Sequence, residues 1–400
     1  MPVTRREFLG ATAAATLSPR IAAPSPLVAA QVPGDRFDPW VEVDTRALEH
    51  NVAQVRRLSG RPIIAVVKND AYGLGLTIAA GLLEPIPEIA GFAVVRTAEA
   101  IALRDAGVRK PVLLMARVSS ADARDLLERG IEMAIFADDD AERFAGVARA
   151  AGGRVPVHFY IDTGMGRMGM RWDRALAWMH RIAASGTFNV RGTFTEFTEE
   201  TEFDAEQLRR FVALTAEARG SGVPLGRLHA ASSNGVFHLP DAHLDAVRPG
   251  MALWGGYPSR PEEERAKAEL RSAVRLRARV VRIERLMPGD GVSYGRNYIA
   301  ARPTWIATLP VGHVDGYPRN AVKGARILIG GRLYPVIGAV SASHCIIEVG
   351  DERSVSIGDI ATFLGSDDPA IQPNAVASAI DGSVYDLFMH LDPKLPRIVV

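Results

Sequence analysis

The chain has 400 residues, 48% of them hydrophobic and 23% charged, which is more than one small domain and the make-up of an ordinary globular protein. Its 47 Lys and Arg against 46 Asp and Glu leave a formal net charge of +1, so the charge balance recruits neither nucleic acid nor an anionic membrane. The single cysteine, Cys345, excludes an intramolecular disulfide or a thiolate cluster, and with no His-Glu-x-x-His spacing no metal is expected. Cys345 reads as a buried apolar residue in a strand.

The first segment in chain order is not part of the predicted fold. Thr4-Arg5-Arg6-Glu7-Phe8-Leu9-Gly10 precedes a short Ala-rich run ending near Val28-Ala29-Ala30. Residues 1–30 read as a twin-arginine export signal with cleavage before Gln31, and the run is too short and small-residued for a membrane span. The expectation is a periplasmic or secreted protein with no membrane partner once the signal is removed.

Beyond the leader, apolar runs at 63–67, 91–95, 111–115, 132–136, 155–161, 190–195, 227–231 and 246–253 read as strands. Between them, 45–59, 78–83, 97–106, 121–129, 139–151, 173–185 and 204–221 carry apolar residues at helical spacing, bounded by Gly or Asp. Continuous apolar strands each followed by a helix imply a parallel sheet covered on its outer face. Eight of them predict an α/β fold with a (β/α)8 TIM-type barrel over 37–260. A doubly wound open sheet fits the alternation nearly as well, but the first strand lacks the dinucleotide glycine fingerprint. After about residue 258 the texture changes. A charged stretch at 261–270 reads as a linker or short helix. The β-branched runs 274–285, 305–310, 325–329, 332–339 and 360–364 then predict a mainly antiparallel β domain over 270–400. Residues 37–43 are expected to join it in space.

Lys68 stands directly after the first predicted barrel strand, where barrel enzymes keep their reactive groups. A lysine against a dry strand loses solvation and becomes a better imine-forming amine, although an exposed strand-end lysine fits the spacing equally well. The whole string Ala65-Val66-Val67-Lys68-Asn69-Asp70-Ala71-Tyr72-Gly73-Leu74-Gly75 resembles the cofactor-attachment motif of alanine racemases, and the likeness runs over roughly residues 38–400. The resemblance implies that Lys68 carries pyridoxal 5'-phosphate as a Schiff base and that Tyr72 contacts its phosphate.

Other segments extend the likeness. Asp162-Thr163-Gly164-Met165-Gly166-Arg167-Met168-Gly169 is similar to the family segment whose arginine touches the cofactor's phenolic oxygen and the substrate carboxylate, which implies that role for Arg167. A guanidinium fork matches a carboxylate well. His229-Ala230-Ala231-Ser232-Ser233 resembles the phosphate-binding segment, with Ser233 as hydroxyl donor and Gly250 and Met251 as backbone donors. Arg248 takes the place facing the pyridine nitrogen. Because arginine does not surrender a proton, the ring nitrogen is expected to stay unprotonated, which favours proton return at Cα over transamination.

A racemase needs a base on each face of its substrate. Lys68 serves one face. Val292-Ser293-Tyr294-Gly295 resembles the segment that carries the second base into the partner subunit's site, so Tyr294 and a head-to-tail homodimer are implied. A phenol of pKa about 10 must be lowered by nearby cations for that task.

Four positions depart from the family pattern. Glu196 replaces a histidine beside the pyridine ring, and Tyr160 replaces a lysine that braces the Arg167 position. Ala342 and Ser343 fall in a stretch, 338–344, that replaces one with a substrate-bordering Met-Asp pair; Pro393 stands at a gate tyrosine's place. The expected consequence is a reshaped substrate end, bordered by Arg167, Glu196, Ala342 and Ser343, that prefers an amino acid larger or more polar than alanine. Glu196 either meets a cationic substrate group or pairs with an arginine such as Arg248. The alternatives are a pyridoxal-phosphate decarboxylase of the same architecture and a non-catalytic cofactor- or amino-acid-binding homologue. The decarboxylase's His-Val-Gly-Ser-type segment is missing, and Lys68, Tyr72, Arg167, Arg248 and Tyr294 together argue against lost chemistry.

Overall fold

Asp44 starts the first helix, Thr45–Ser59, by accepting the Ala47 N–H on its side chain, and Gly60 ends it in a left-handed conformation. The computed structural model describes residue 34 and residues 36–400; the export-signal reading lies outside the described residues. Before this helix comes β1 (Trp40–Val43), and after it follow β2 (Ile63–Val66), β3 (Ile89–Val94), β4 (Val112–Leu114), β5 (Glu132–Ile135), β6 (Val155–Asp162), β7 (Met170–Arg171), β8 (Phe188–Phe194) and β9 (Arg227–His229). The parallel sheet runs β2-β3-β4-β5-β6-β8-β9, with β7 paired to β6 on the side. Buried Phe92, Phe159 and Phe194, side chains of its strands, belong to one continuous apolar core.

The predicted strand at 246–253 is not a strand. Only the bridges Ile63–Val247 and His229–Ala246 form there. They suffice to close the barrel, because Ile64 N donates to Val247 O and Val66 N to Pro249 O, each at 2.9 Å. Pro249 has no N–H to continue a ladder, and the chain then turns into a short 3-10 helix, Met251–Trp254. The result is a barrel whose eighth stave is two bridges long, with its carboxyl end opening directly into the site.

The second domain holds β10 (Val274–Arg279), β11 (Arg282–Leu286), β12 (Gly291–Val292), β13 (Tyr298–Ile299), β14 (Thr304–Leu309), β15 (Arg326–Ile329), β16 (Arg332–Ile337), β17 (Cys345–Gly350), β18 (Ile360–Leu364) and β19 (Arg397–Val399). Its main sheet has the order β11-β14-β17-β16-β15-β18-β10-β1-β19. β1 pairs antiparallel with β10 and parallel with β19, so the segment before the barrel completes the β domain. The run predicted as one strand over 274–285 is two, because Val280 N turns to Asp359 O and Val281 N to Thr308 O, sending β10 and β11 to different neighbours. Residues 261–270 contain the helix Pro261–Lys267. Two short helices near the end, Pro373–Ala379 and Val384–Met389, have no counterpart in the predicted elements. Among the described residues no helix is long and apolar enough to cross a membrane.

Candidate active site

Lys68 follows β2 by one residue, at the carboxyl end of the barrel. The next four residues, Asn69 to Tyr72, all have φ between 53° and 58°, a full left-handed turn without glycine. Each such residue costs roughly 1–2 kcal/mol against a right-handed one, so the surroundings must enforce the shape. They do so from both domains. Asp70 accepts the Leu76 N–H at 2.7 Å and its own N–H reaches Glu99 at 3.2 Å. Arg397 donates to Gly73 O at 2.7 Å. Gly73 itself has no room for a side chain, since a Cβ there would lie 2.2 Å from Phe388 O. The turn points Lys68 and Tyr72 into one cavity of about 550 Å³, within the range of ligand pockets.

That cavity gathers most of the residues singled out from sequence. Lys68, Tyr72, Arg167, Glu196, Ser233, Arg248, Gly250 and Met251 all line it. At one end Ser233 Oγ accepts from Gly250 N and Ala252 N, both at 3.1 Å. The Tyr72 hydroxyl occupies the space a Gly250 side chain would fill, 2.0 Å from an added Cβ. Only glycine lets the phenol come this close to the backbone. The crowding of hydroxyls and backbone N–H groups makes this a cradle for an anion.

At the other end Arg248 is 2% exposed. Its guanidinium gives hydrogen bonds to His229 O at 2.7 Å, Thr195 O at 2.7 Å and Glu196 Oε2 at 3.0 Å, and lies 5.0 Å over the Phe194 ring. Glu196 pairs with Arg248, the contact one of its two readings expects, and supplies the counter-charge a buried arginine requires. Arg167 lies beside the Tyr160 phenol, where its guanidinium opposes the rise that burial gives the phenol's pKa. The Tyr160 ring in turn stacks on Phe194 at 4.3 Å. Tyr160→Phe should leave the stack intact but free Arg167 to swing. A hydrogen bond to a charged group is worth about 1.5–3 kcal/mol, so KM for the substrate is expected to rise by about tenfold with little change in kcat. Steady-state kinetics check this; an unchanged KM would mean the phenol does not hold the arginine.

Burial lowers the Lys68 pKa, the charges of Arg167 and Arg248 lower it further, and those of Glu196 and Glu199 oppose them. A larger share of the amine is thus neutral and nucleophilic near neutral pH. Glu196→Gln removes an opposing charge, so the Lys68 pKa should fall further and the midpoint of pH-dependent cofactor uptake should move to lower pH. Absorbance titration of the apoprotein with pyridoxal phosphate reads that midpoint, and a move to higher pH would contradict the sign.

Three predicted site residues are elsewhere. Tyr294 is 78% exposed on the β domain. It follows Ser293, whose hydroxyl bonds Ala339 O at 3.0 Å and so ties the Tyr294 turn to the turn carrying Ala342 and Ser343. All three are exposed and none lines the cavity of its own chain. Conversely, the cavity includes two groups not singled out as site residues, Glu199 and Tyr385. Glu199 has a left-handed backbone (φ 66°), and burial followed by the neighbouring Glu196 charge raises its pKa. Tyr385, on Val384–Met389, brings its ring within 6.5 Å of Tyr72. Pro393 is exposed and outside the lining, so the aromatic wall on this side of the cavity comes from Tyr385.

A closed parallel barrel with a half-buried lysine of lowered pKa at its carboxyl end, an anion cradle and two arginines lining one cavity defines a cofactor-dependent barrel enzyme. The alanine racemase N-terminal domain family matches residues 43–258, and the alanine racemase C-terminal domain family matches 273–399. The chain is 33% identical to alanine racemase 1 of Clostridium acetobutylicum over 369 residues, which is 90% of this chain and 95% of that protein. It is 32% identical to the alanine racemase of Desulforamulus reducens, covering 90% and 98%. Among solved structures, the alanine racemase of Clostridium difficile 630 superposes with a TM-score of 0.83 at 26% identity, covering 90% of this chain and 95% of that one. The alanine racemase of Streptomyces lavendulae gives a TM-score of 0.84 at 27% identity, covering 91% and 97%. The chain belongs to the alanine racemase family, whose members depend on pyridoxal phosphate.

The residues present fit that cofactor. The Gly250 cradle with Ser233 and Tyr72 would take the phosphate, Lys68 the aldehyde carbon, and Arg248 the ring nitrogen.

Proposed function

We propose that this protein is a pyridoxal-phosphate-dependent amino-acid racemase that interconverts L- and D-amino acids by proton transfer at Cα between two bases, Lys68 and the Tyr294 of a second copy. The observation that carries the reading is the convergence of a desolvated Lys68 with Arg167 and Arg248 in one cavity behind the anion cradle. When bound, the cofactor withdraws electrons from Cα and so acidifies its proton. Arg167 holds the substrate carboxylate, which fixes the face of Cα turned toward Lys68. Lys68 Nζ removes or returns the proton on that face. Arg248 keeps its own proton and donates hydrogen bonds only, which favours reprotonation at Cα over amino-group transfer.

Tyr294 supplies the second base from a head-to-tail homodimer. Support comes from its exposure and from the Ser293–Ala339 hydrogen bond that ties its turn to the segment of Ala342 and Ser343, the substrate-bordering segment in the family. On this reading the partner's patch covers the mouth of the cavity and excludes water. The replaced Met-Asp pair then favours a substrate larger or more polar than alanine, with the partner's Ala342 and Ser343 at its border. The Arg5-Arg6 leader supports action outside the cytoplasm, in the periplasm or as a secreted protein. Decarboxylases of this architecture use a cysteine of the second domain, and that route is disfavoured because Cys345 is fully buried in β17 and burial pushes its thiol far up, leaving no reactive thiolate.

The experiment is α-proton exchange in heavy water with the cofactor-loaded protein and a panel of L-amino acids, read by mass spectrometry and chiral chromatography. Deuterium at Cα together with the D-enantiomer is expected, strongest with a substrate other than alanine. Bound cofactor without exchange would return the reading to a binding homologue, and amine with carbon dioxide would mean decarboxylation.

A further inference from the structure

A buried polar chain crosses the barrel interior beneath the site and has no part in the proton transfers above. Arg248 Nη1 lies 2.9 Å from His229 Nδ1, His229 Nε2 lies 2.9 Å from His158 Nδ1, and His158 Nε2 lies 2.8 Å from Glu132 Oε2. Glu132 Oε1 meets Arg191 Nε at 3.3 Å. Chemistry fixes the direction of every bond. Arginine has no acceptor, so His229 Nδ1 must accept and His229 carries its hydrogen on Nε2. His158 Nδ1 must then accept, and its Nε2–H donates to the Glu132 carboxylate. A cationic His158 would set one N–H against another. Burial lowers the pKa of both rings, with Arg248 adding to the effect, and for His158 only Glu132 opposes it. The chain therefore joins a cation to an anion through two neutral imidazoles. It cannot pass a proton, because Arg248 releases none; what it transmits is orientation.

The fold is built around these rings. A Cβ on Gly192 would lie 2.3 Å from His158 Nδ1 and 2.6 Å from its Cε1, so the glycine in β8 leaves the space the ring occupies. Phe194, two residues on, stacks flat on His229 with centroids 5.1 Å apart and an interplanar angle of 8°. At its far end the chain reaches a second cavity, of about 340 Å³, at the amino-terminal mouth of the barrel, lined among others by Glu132, His158, Arg191 and Arg227.

We propose that Glu132 and His158 are positioning residues for the reaction. The carboxylate anchors His158, which holds His229 as an acceptor toward Arg248, so that the guanidinium meets the cofactor ring in a single orientation. The inference rests on the reading that Arg248 faces the ring nitrogen, but its first test does not depend on turnover.

In the cofactor-loaded wild-type protein with 15N-labelled histidine, both rings should be neutral and protonated on Nε2 at about pH 7. A cationic ring, or a hydrogen on Nδ1 of either, would overturn the proposal without touching the racemase reading. Glu132→Leu should lower kcat about tenfold at nearly constant KM, weaken pyridoxal phosphate binding severalfold and shift the bound cofactor's visible absorption band. Glu132→Gln, whose amide oxygen still accepts from His158, should restore most of each. If Glu132→Leu folds and all three readouts stay within about twofold of wild type, the chain does not position Arg248. If that variant does not fold, the wild-type histidine signals decide alone.

Discussion

Lys68→Ala is expected to lower racemisation by at least about a thousandfold and to leave the protein unable to retain pyridoxal phosphate through gel filtration. The size follows from the two tasks placed on one side chain. On the proposed function Lys68 is both the covalent anchor of the cofactor and the base on one face of the substrate, and the cavity offers no second lysine among its lining residues. Free cofactor added in excess should refill the cradle, because Ser233, Tyr72 and Gly250 are untouched, yet racemisation should not return, since only the Tyr294 face keeps a base. Kinetics with and without added cofactor separate the two tasks. Full recovery on addition would show that the lysine serves attachment only.

Tyr294→Phe is the second large effect, and it is qualitatively different. Removing one of two bases should cut racemisation about a hundred- to ten-thousandfold while leaving cofactor binding and absorbance unchanged. Lys68 can still lift and return a proton on its own face. In heavy water one enantiomer should therefore exchange its α-proton without inversion, and the other should not exchange. Mass spectrometry with chiral separation reads this directly. Equal loss of exchange for both enantiomers would mean that Tyr294 does not act as a base on a particular face. The residue is 78% exposed in its own chain, so folding stability should hardly change.

Much of this arrangement is legible in one dimension. The first barrel helix carries strong apolar periodicity, and the predicted span 45–59 coincides with Thr45–Ser59 because an Asp cap and a terminal Gly mark its ends. Lys68, Tyr72, Ser233, Arg248 and Gly250 sit at or just after strand ends, so a correct strand order is enough to bring them together. The eighth stave misleads because 246–253 is apolar enough to read as a strand, whereas Pro249 and the turn at Gly250 limit it to two bridges. β10 and β11 merge in the pattern because the chain changes partners between Val280 and Val281 without a glycine or proline to announce it.

The site's unread members are those that long-range contacts deliver. Tyr385 enters the cavity from a six-residue helix too short to show a period. Glu199 is placed by a left-handed residue in the loop after β8, and nothing in its neighbours signals that conformation. The pairing of Glu196 with Arg248 depends on reach across the barrel, which a sequence does not state and a distance of 3.0 Å does. The Glu132–His158–His229–Arg248 chain is likewise invisible as a motif, since its members come from three strands and the closing segment.

On the proposed function each complete site joins Lys68 of one chain to Tyr294 of another. The direct measurement mixes Lys68→Ala and Tyr294→Phe proteins under conditions that exchange subunits, with each parent inactive alone. A head-to-tail dimer places one intact pair in every mixed dimer, so about a quarter of wild-type activity should appear. No activity after verified subunit exchange would contradict the shared site.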